Sequence, residues 1–376
     1  MQTTALPKVF SLSTKAQSQL ELQQEIANLE KALALKKRAM GNFKRETVPV
    51  AVRELFGLDS GMMIEKNSLP ATYAAELKPD YIFRPGLTRD VLMFWLLKKR
   101  ACMLTGHKGT GKTTIIEQLH QRLNVDLMVL SGSSEIDIQN LFGQLEPNEQ
   151  GTLSWMDGPV TKAARNGHSI IINEFNALKP EVQISLIDIA QDGGAFSPPG
   201  SGQQFQPAEG FRLFCTMNPK GVNDHIYQGR KEIDGALKER FFWIYVDYPS
   251  VAEEREIVEN AWASAAGFVG EAEKVFCKHI VDVALEVRAR ASITGPDAIP
   301  EIISTRVMVN WAIYWFNYGR IERKPGSPRT LGAVHVGLQK ALTDGCRPEV
   351  AKAIHAIVAR ITSDPYDVPN PNANFS

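Results

Sequence analysis

"LTGHKGTGKTTIIEQL", residues 104–119, decides how the rest of the chain is read. Within it, "GHKGTGKT" (Gly106 to Thr113) fits G-x-x-x-x-G-K-[ST] at every fixed position. Gly106, Gly109 and Gly111 let the main chain wrap with its N–H groups turned inward, an arrangement that suits phosphate oxygens. Lys112 in such a loop reaches the outer phosphates of a triphosphate, and the Thr113 hydroxyl can ligate magnesium. His107, Lys108, Thr110 and Thr114 complete the cradle, His107 with backbone duty. The apolar "ACMLT" (101–105) precedes the loop as a strand, and "TTIIEQLHQRL" opens a helix whose N-terminal dipole adds favourable potential. Strand, glycine loop and helix in this order predict a site for ATP and Mg2+.

Working outward, short apolar runs alternate with helical patterns from about 100 to 250: "DLMVL" (126–130), "SIII" (169–172), "RLFCT" (212–216) and "FWIYVD" (242–247). Near-continuous apolar strands separated by helices predict a parallel sheet covered on both faces. After Pro249 the texture becomes helical, around 251–265, 272–290, 302–318 and 348–361. "GHSIIINEFNAL" ends a buried strand on Asn173 and Glu174, where a carboxylate can polarise a water for attack on a γ-phosphate. "FRLFCTMNP" ends another on Asn218, whose amide can hold the same water.

The 376 residues carry 42 basic and 42 acidic side chains, a balance that argues against a strongly basic nucleic-acid binder and leaves only a local basic stripe open. Four dispersed cysteines without a C-x-x-C pair fit a reduced, cytosolic protein. "MQTTALPKVFSLSTKAQ" lacks the basic and apolar regions of a signal peptide. The apolar run "VLMFWLL" (91–97) falls far below the roughly 20 residues a membrane span needs. The expectation is a cytoplasmic protein with no membrane segment. Residues 15–45 read as an amphipathic helix with Leu22, Ile26, Leu29 and Leu33 on one face, an arm rather than a coiled coil. "SPPGSGQQFQPAEG" (197–210) reads as a hairpin tip, and the proline- and asparagine-rich end as a frayed tail.

The motif order, phosphate loop, "IIINEFN", "FCTMNP" and then "ALKERFF", resembles that of the AAA+ ATPases. "DGPVTKAARNGHSIIINEFNALKPEVQISLIDIAQDGG" resembles the MoxR branch, and "VRELFGLDS" with "LKPDYIFRPG" resembles the ATPase-subunit family of the aerobic cobaltochelatases. The resemblance spans roughly residues 48 to 320 and implies an α/β nucleotide-binding domain (48–248) followed by a small all-helical lid domain (249–365), between the arm (1–47) and the tail (366–376). It implies that Gly106–Thr114 is the Walker A loop, that Asn173 and Glu174 are the Walker B pair, and that Asn218 is the first sensor. It implies further that Arg240 is an arginine finger reaching a neighbouring subunit's site, and that Arg306 is the second sensor on the lid. Residues 142–155 and 194–214 match the family's two inserted hairpins. The resemblance implies an ATP-hydrolysing ring, a homohexamer, and a separate von Willebrand A-domain partner. One position departs from the pattern: the usual Asp of the Walker B pair is Asn173 here, which cannot supply that charge to magnesium.

Overall fold

The computed structural model describes residues 46–149, 151–218, 233–293, 295, 297–321 and 333–363; the helix expected at 15–45 and the tail lie outside them, and Thr47, expected in the arm, opens a strand instead. The chain divides into two compact units. One comprises the residues up to Leu77 together with Glu117–Met128, and the other comprises Lys78–Ile116 together with the chain from Val129 onward.

The first unit contains an antiparallel pair, β1 (Thr47–Ala51) and β2 (Met63–Asn67), in register from Thr47 opposite Asn67 to Ala51 opposite Met63. Inside this unit Asn67 and Asn124 exchange amide-to-carbonyl bonds of 2.8 and 2.9 Å. The buried Asp126 carboxylate accepts the Thr72 and Tyr73 N–H groups at 2.6 and 2.9 Å. Sequence reading does not find this hairpin, because only Ile64 of its ten strand residues is buried, too few to stamp a period on the sequence.

The main sheet contains β3 (Ala101–Thr105), β4 (Leu127–Ser131), β7 (Ser169–Asn173), β8 (Arg212–Met217) and β9 (Phe242–Tyr245), in the order β4-β7-β8-β3-β9. β3 runs parallel to both β8 and β9, and β7 runs parallel to β8. Cys102, Met103, Leu104, Ile170, Ile171, Ile172, Leu213, Phe214 and Cys215 are wholly buried, as continuous apolar strands covered on both faces must be. The register sets Thr105 opposite Met217 and Tyr245, and Ile172 opposite Cys215. The carboxyl ends of these strands therefore share one edge, the usual place for ligands in such sheets.

β5 (Gly143–Pro147) and β6 (Leu153–Asp157) form the expected antiparallel hairpin at 142–155. The second expected hairpin is reduced to one bridge between Phe196 and Phe205, with bonds of 2.8 and 3.0 Å. The prolines and glycines between them supply few N–H groups in extended geometry, so a ladder does not propagate.

Among the described residues five α-helices follow: Val251–Ala266, Glu271–Ala291, Thr305–Ile321, Ala333–Ala341 and Pro348–Thr362. Ser250 and Glu253 form a capping box at the first, and Gly267 ends it in the left-handed region. Their core gathers Val258, Trp262, Ile280, Val287, Trp311, Trp315, Leu338 and Val358. The buried indole of Trp311 donates to the Val334 carbonyl at 2.9 Å, which satisfies its one polar atom. The helix Ala333–Ala341, rich in small residues, is the one that sequence periodicity does not announce.

Candidate functional site

The glycine loop leaves β3 at Thr105 and enters the helix Lys112–Leu123. At Gly106 a Cβ would stand 2.0 Å from the Val246 carbonyl oxygen, so no side chain fits there. At Gly109, φ is +76° and a Cβ would stand 2.5 Å from the Ser304 side chain. These two glycines let the loop turn and let the lid lie directly against it.

Lys112 sits in the cradle with Nζ donating to the carbonyls of Gly106 (2.7 Å) and His107 (2.6 Å) and to Asn218 Oδ1 (3.2 Å). Burial lowers its pKa to about 8; Glu174 opposes that shift and Arg306 adds to it. The ammonium therefore holds carbonyl oxygens where phosphate oxygens would satisfy it better.

Asn173 is the last residue of β7, and its Oδ1 accepts from Thr113 Oγ1 at 2.6 Å and from Thr216 Oγ1 at 3.1 Å. The donor set of a hydroxyl and an amide oxygen suits a hard cation such as magnesium, but neither atom carries charge. Glu174 follows with φ +53° and ψ +43°, left-handed for a residue with a Cβ. Its N–H donates to Thr216 Oγ1 at 3.3 Å. Asn218, buried just past the end of β8, has its carbonyl held by Asn176 Nδ2 at 3.3 Å.

Arg306 stands in the first turn of Thr305–Ile321 and lines a cavity of about 480 Å³ together with Gly109, Thr110, Gly111 and Thr114. Tyr81, Ile82, Ile257, Val309 and Ile313 provide its apolar wall. A chamber of this size, lined by apolar side chains and by Arg84 and Arg306, matches a nucleoside phosphate. The sequence reading assigns no role to that wall, to Arg84 or to Tyr248. Arg84 donates to the carbonyls of Thr110 (2.9 Å) and Asp247 (2.8 Å), and burial lowers its pKa. The Tyr248 hydroxyl donates to the Lys108 carbonyl at 3.3 Å, and its ring stacks with His107 at 5.9 Å between centroids. The only sequence signal was the quoted "LKPDYIFRPG", which carries Tyr81, Ile82 and Arg84.

The structure brings together Gly106–Thr114, Asn173, Glu174, Asn218 and Arg306, and leaves Arg240 apart. Arg240 precedes β9, whose Phe242 pairs with Cys102 while Tyr245 pairs with Thr105, so it lies toward the amino edge of the sheet. It lines a separate cavity with Lys99, Gln191, Asp192 and Phe242, and donates to the Ala236 carbonyl.

A family model described as "AAA domain (dynein-related subfamily)" matches residues 101–241. The chain is 28% identical over 268 residues to aerobic cobaltochelatase subunit CobS of Sinorhizobium sp, covering 70% of this chain and 79% of that protein. It is 25% identical over 260 residues to midasin of Giardia intestinalis, covering 69% of this chain but 5% of midasin. It is 29% identical over 158 residues to the denitrification regulatory protein NirQ of Stutzerimonas stutzeri, covering 42% of this chain and 55% of NirQ. Among the described residues, no helix is long and apolar enough to cross a membrane. Parallel sheet, glycine loop and helical lid agree with these matches: residues 101–241 match an AAA domain, and the chain is similar to P-loop ATPases of the AAA+ class such as CobS.

Proposed function

We propose that the chain hydrolyses ATP with Mg2+ in a cytoplasmic homo-oligomeric ring, a hexamer, and uses the cycle to remodel or load a separate protein that carries a von Willebrand A domain. Residues 48–248 act as the nucleotide domain and 249–365 as the lid. Magnesium, when bound, supplies positive charge to the triphosphate. Thr113 and Asn173 provide the oxygens to hold it, Lys112 and Arg306 bind the phosphates, and Glu174 takes the proton of the attacking water that Asn218 orients. The observation that carries the ring reading is the separation of Arg240 from its own loop. Arg240 lies before β9, and the three steps of strand from Phe242 to Tyr245, the partner of Thr105, alone amount to about 10 Å at ~3.3 Å per residue. A guanidinium so placed serves a neighbour's nucleotide more readily than its own. Sedimentation of Glu174→Gln with and without ATP tests assembly. A nucleotide-dependent shift to a ring is the expected result, and an unchanged monomer in saturating ATP excludes it.

Asn173 favours a second reading, a nucleotide-dependent assembly switch with little turnover. Its neutral amide accepts from the Thr113 and Thr216 hydroxyls where the family's acid would bring charge. Steady-state phosphate release separates the two, since a motor turns over continuously and a switch releases about one phosphate per site. Translocation of nucleic acid has only a local basic stripe left to support it, and a salt titration of binding tests it.

A further inference from the structure

Beyond the end of β9, three successive residues are fastened to the phosphate loop and to Thr105, the strand residue that opens it. Val246 N–H donates to the Thr105 carbonyl at 2.7 Å. Arg84 ties the Asp247 carbonyl to that of Thr110. Tyr248 grips Lys108 through its hydroxyl and His107 through its ring, the two planes within 6°. The same Tyr248 ring carries the Arg288 guanidinium, 3.8 Å from its centroid.

Arg288 has no slack. Its Nε donates to the Ile303 carbonyl at 2.8 Å, and its two terminal nitrogens donate to the two oxygens of Glu254 at 2.9 Å each. Glu254 is completely buried and also accepts from Thr305 Oγ1 at 3.0 Å. A bidentate buried pair with a third donor moves as one piece, because sliding it would strand a charge in the protein interior. Arg306 is the next residue after Thr305.

We propose that Tyr248 and Arg288 are positioning residues that transmit the state of the phosphate loop to Arg306, a proposal that rests on Arg306 being a phosphate-binding residue of the site. When phosphate displaces Lys112 from the His107 carbonyl, the His107–Lys108 backbone shifts and carries the Tyr248 ring. Arg288 follows the ring, and the Ile303–Thr305 segment follows Arg288. Ser304, packed against Gly109, limits movement toward the loop. Arg306 thus takes its place when the cradle is filled.

A double-mutant cycle in the full chain tests this, with kcat and KM for ATP measured on wild type, Tyr248→Leu, Arg306→Ala and the double variant. Losing the ring–guanidinium contact should lower kcat/KM about fivefold, the equivalent of about 1 kcal/mol for such a contact. Arg306→Ala should cost more, and the double variant should match Arg306→Ala alone. A double variant that shows the product of both losses overturns the proposal and leaves the reading of Arg306 intact. A neutral Arg306→Ala overturns both. Tyr248→Phe, which keeps the ring and loses the hydroxyl, repeats the cycle should the leucine variant not fold. Its smaller loss must likewise vanish in the Arg306→Ala background.

Discussion

The Thr113 hydroxyl donates to Asn173 Oδ1 across 2.6 Å, so the two oxygens proposed to hold magnesium are already hydrogen-bonded to each other. Converting Asn173 to Asp keeps this geometry and adds a negative charge. Asn173→Asp should lower the magnesium concentration for half-maximal turnover, on the order of tenfold for a change beside a metal ligand, and turnover should rise with it. A magnesium titration of ATPase activity checks this. An unshifted curve would mean that residue 173 faces away from the metal.

Burial lowers the Lys112 pKa to about 8. A bound triphosphate favours the charged form and raises it again. Above about pH 8 the complex therefore holds more protons than the free protein, so affinity is flat below that pH and falls above it, toward about tenfold per unit. Calorimetry at about pH 8.5 in buffers of different ionisation heat should register proton uptake on binding. Lys112→Ala should abolish binding altogether, and unchanged affinity would refute the assignment of the loop.

Arg240→Ala should leave ATP binding nearly intact and lower turnover by a factor on the order of 10³, as for other arginine fingers. Mixing Arg240→Ala with Glu174→Gln subunits should restore activity that neither has alone, because some sites then pair an intact Glu174 with an intact neighbouring Arg240. Rescue of Lys238→Ala or Arg230→Ala in place of Arg240→Ala would move the finger elsewhere; Arg230 lies outside the described residues.

His335 and His355 meet in the lid core with Nδ1 atoms 2.9 Å apart, while His355 Nε2 faces Thr343 Oγ1 at 2.9 Å. Burial, and then His335, lower the His355 pKa from 6.5 to about 4, while Asp344 opposes the shift. The unfolded chain binds this proton more readily than the folded lid does. Stability is therefore full above about pH 6.5 and is lost progressively as pH falls toward 4. Thermal unfolding followed across that window should show a falling midpoint in wild type and a flatter profile in His355→Gln.

The loop, its strand and its helix were legible because they are contiguous: Gly106 to Thr113 encode their geometry within eight residues. Glu174 and Asn218 were legible because each ends a buried apolar run. Tyr248, Arg84 and the Glu254–Arg288 pair were not, since each is a single residue whose partner is far along the chain. No spacing rule links an arginine in one helix to a carboxylate 34 positions earlier. The β1–β2 hairpin escaped for another reason. Thr47, Val48 and Pro49 are exposed, so no buried face stamped a period on the sequence.

Glu174 holds its carboxylate at the end of a backbone turned to φ +53°. A left-handed residue with a Cβ gives up on the order of 1 kcal/mol, which glycine would recover. With Glu174 as the base proposed above, thermostability and chemistry pull one codon in opposite directions. A directed-evolution campaign sorted by heat resistance would favour glycine at this position at the expense of the proposed base. Any hardening of this scaffold for use as a tool has to screen for phosphate release at each round, because melting temperature alone selects against its engine.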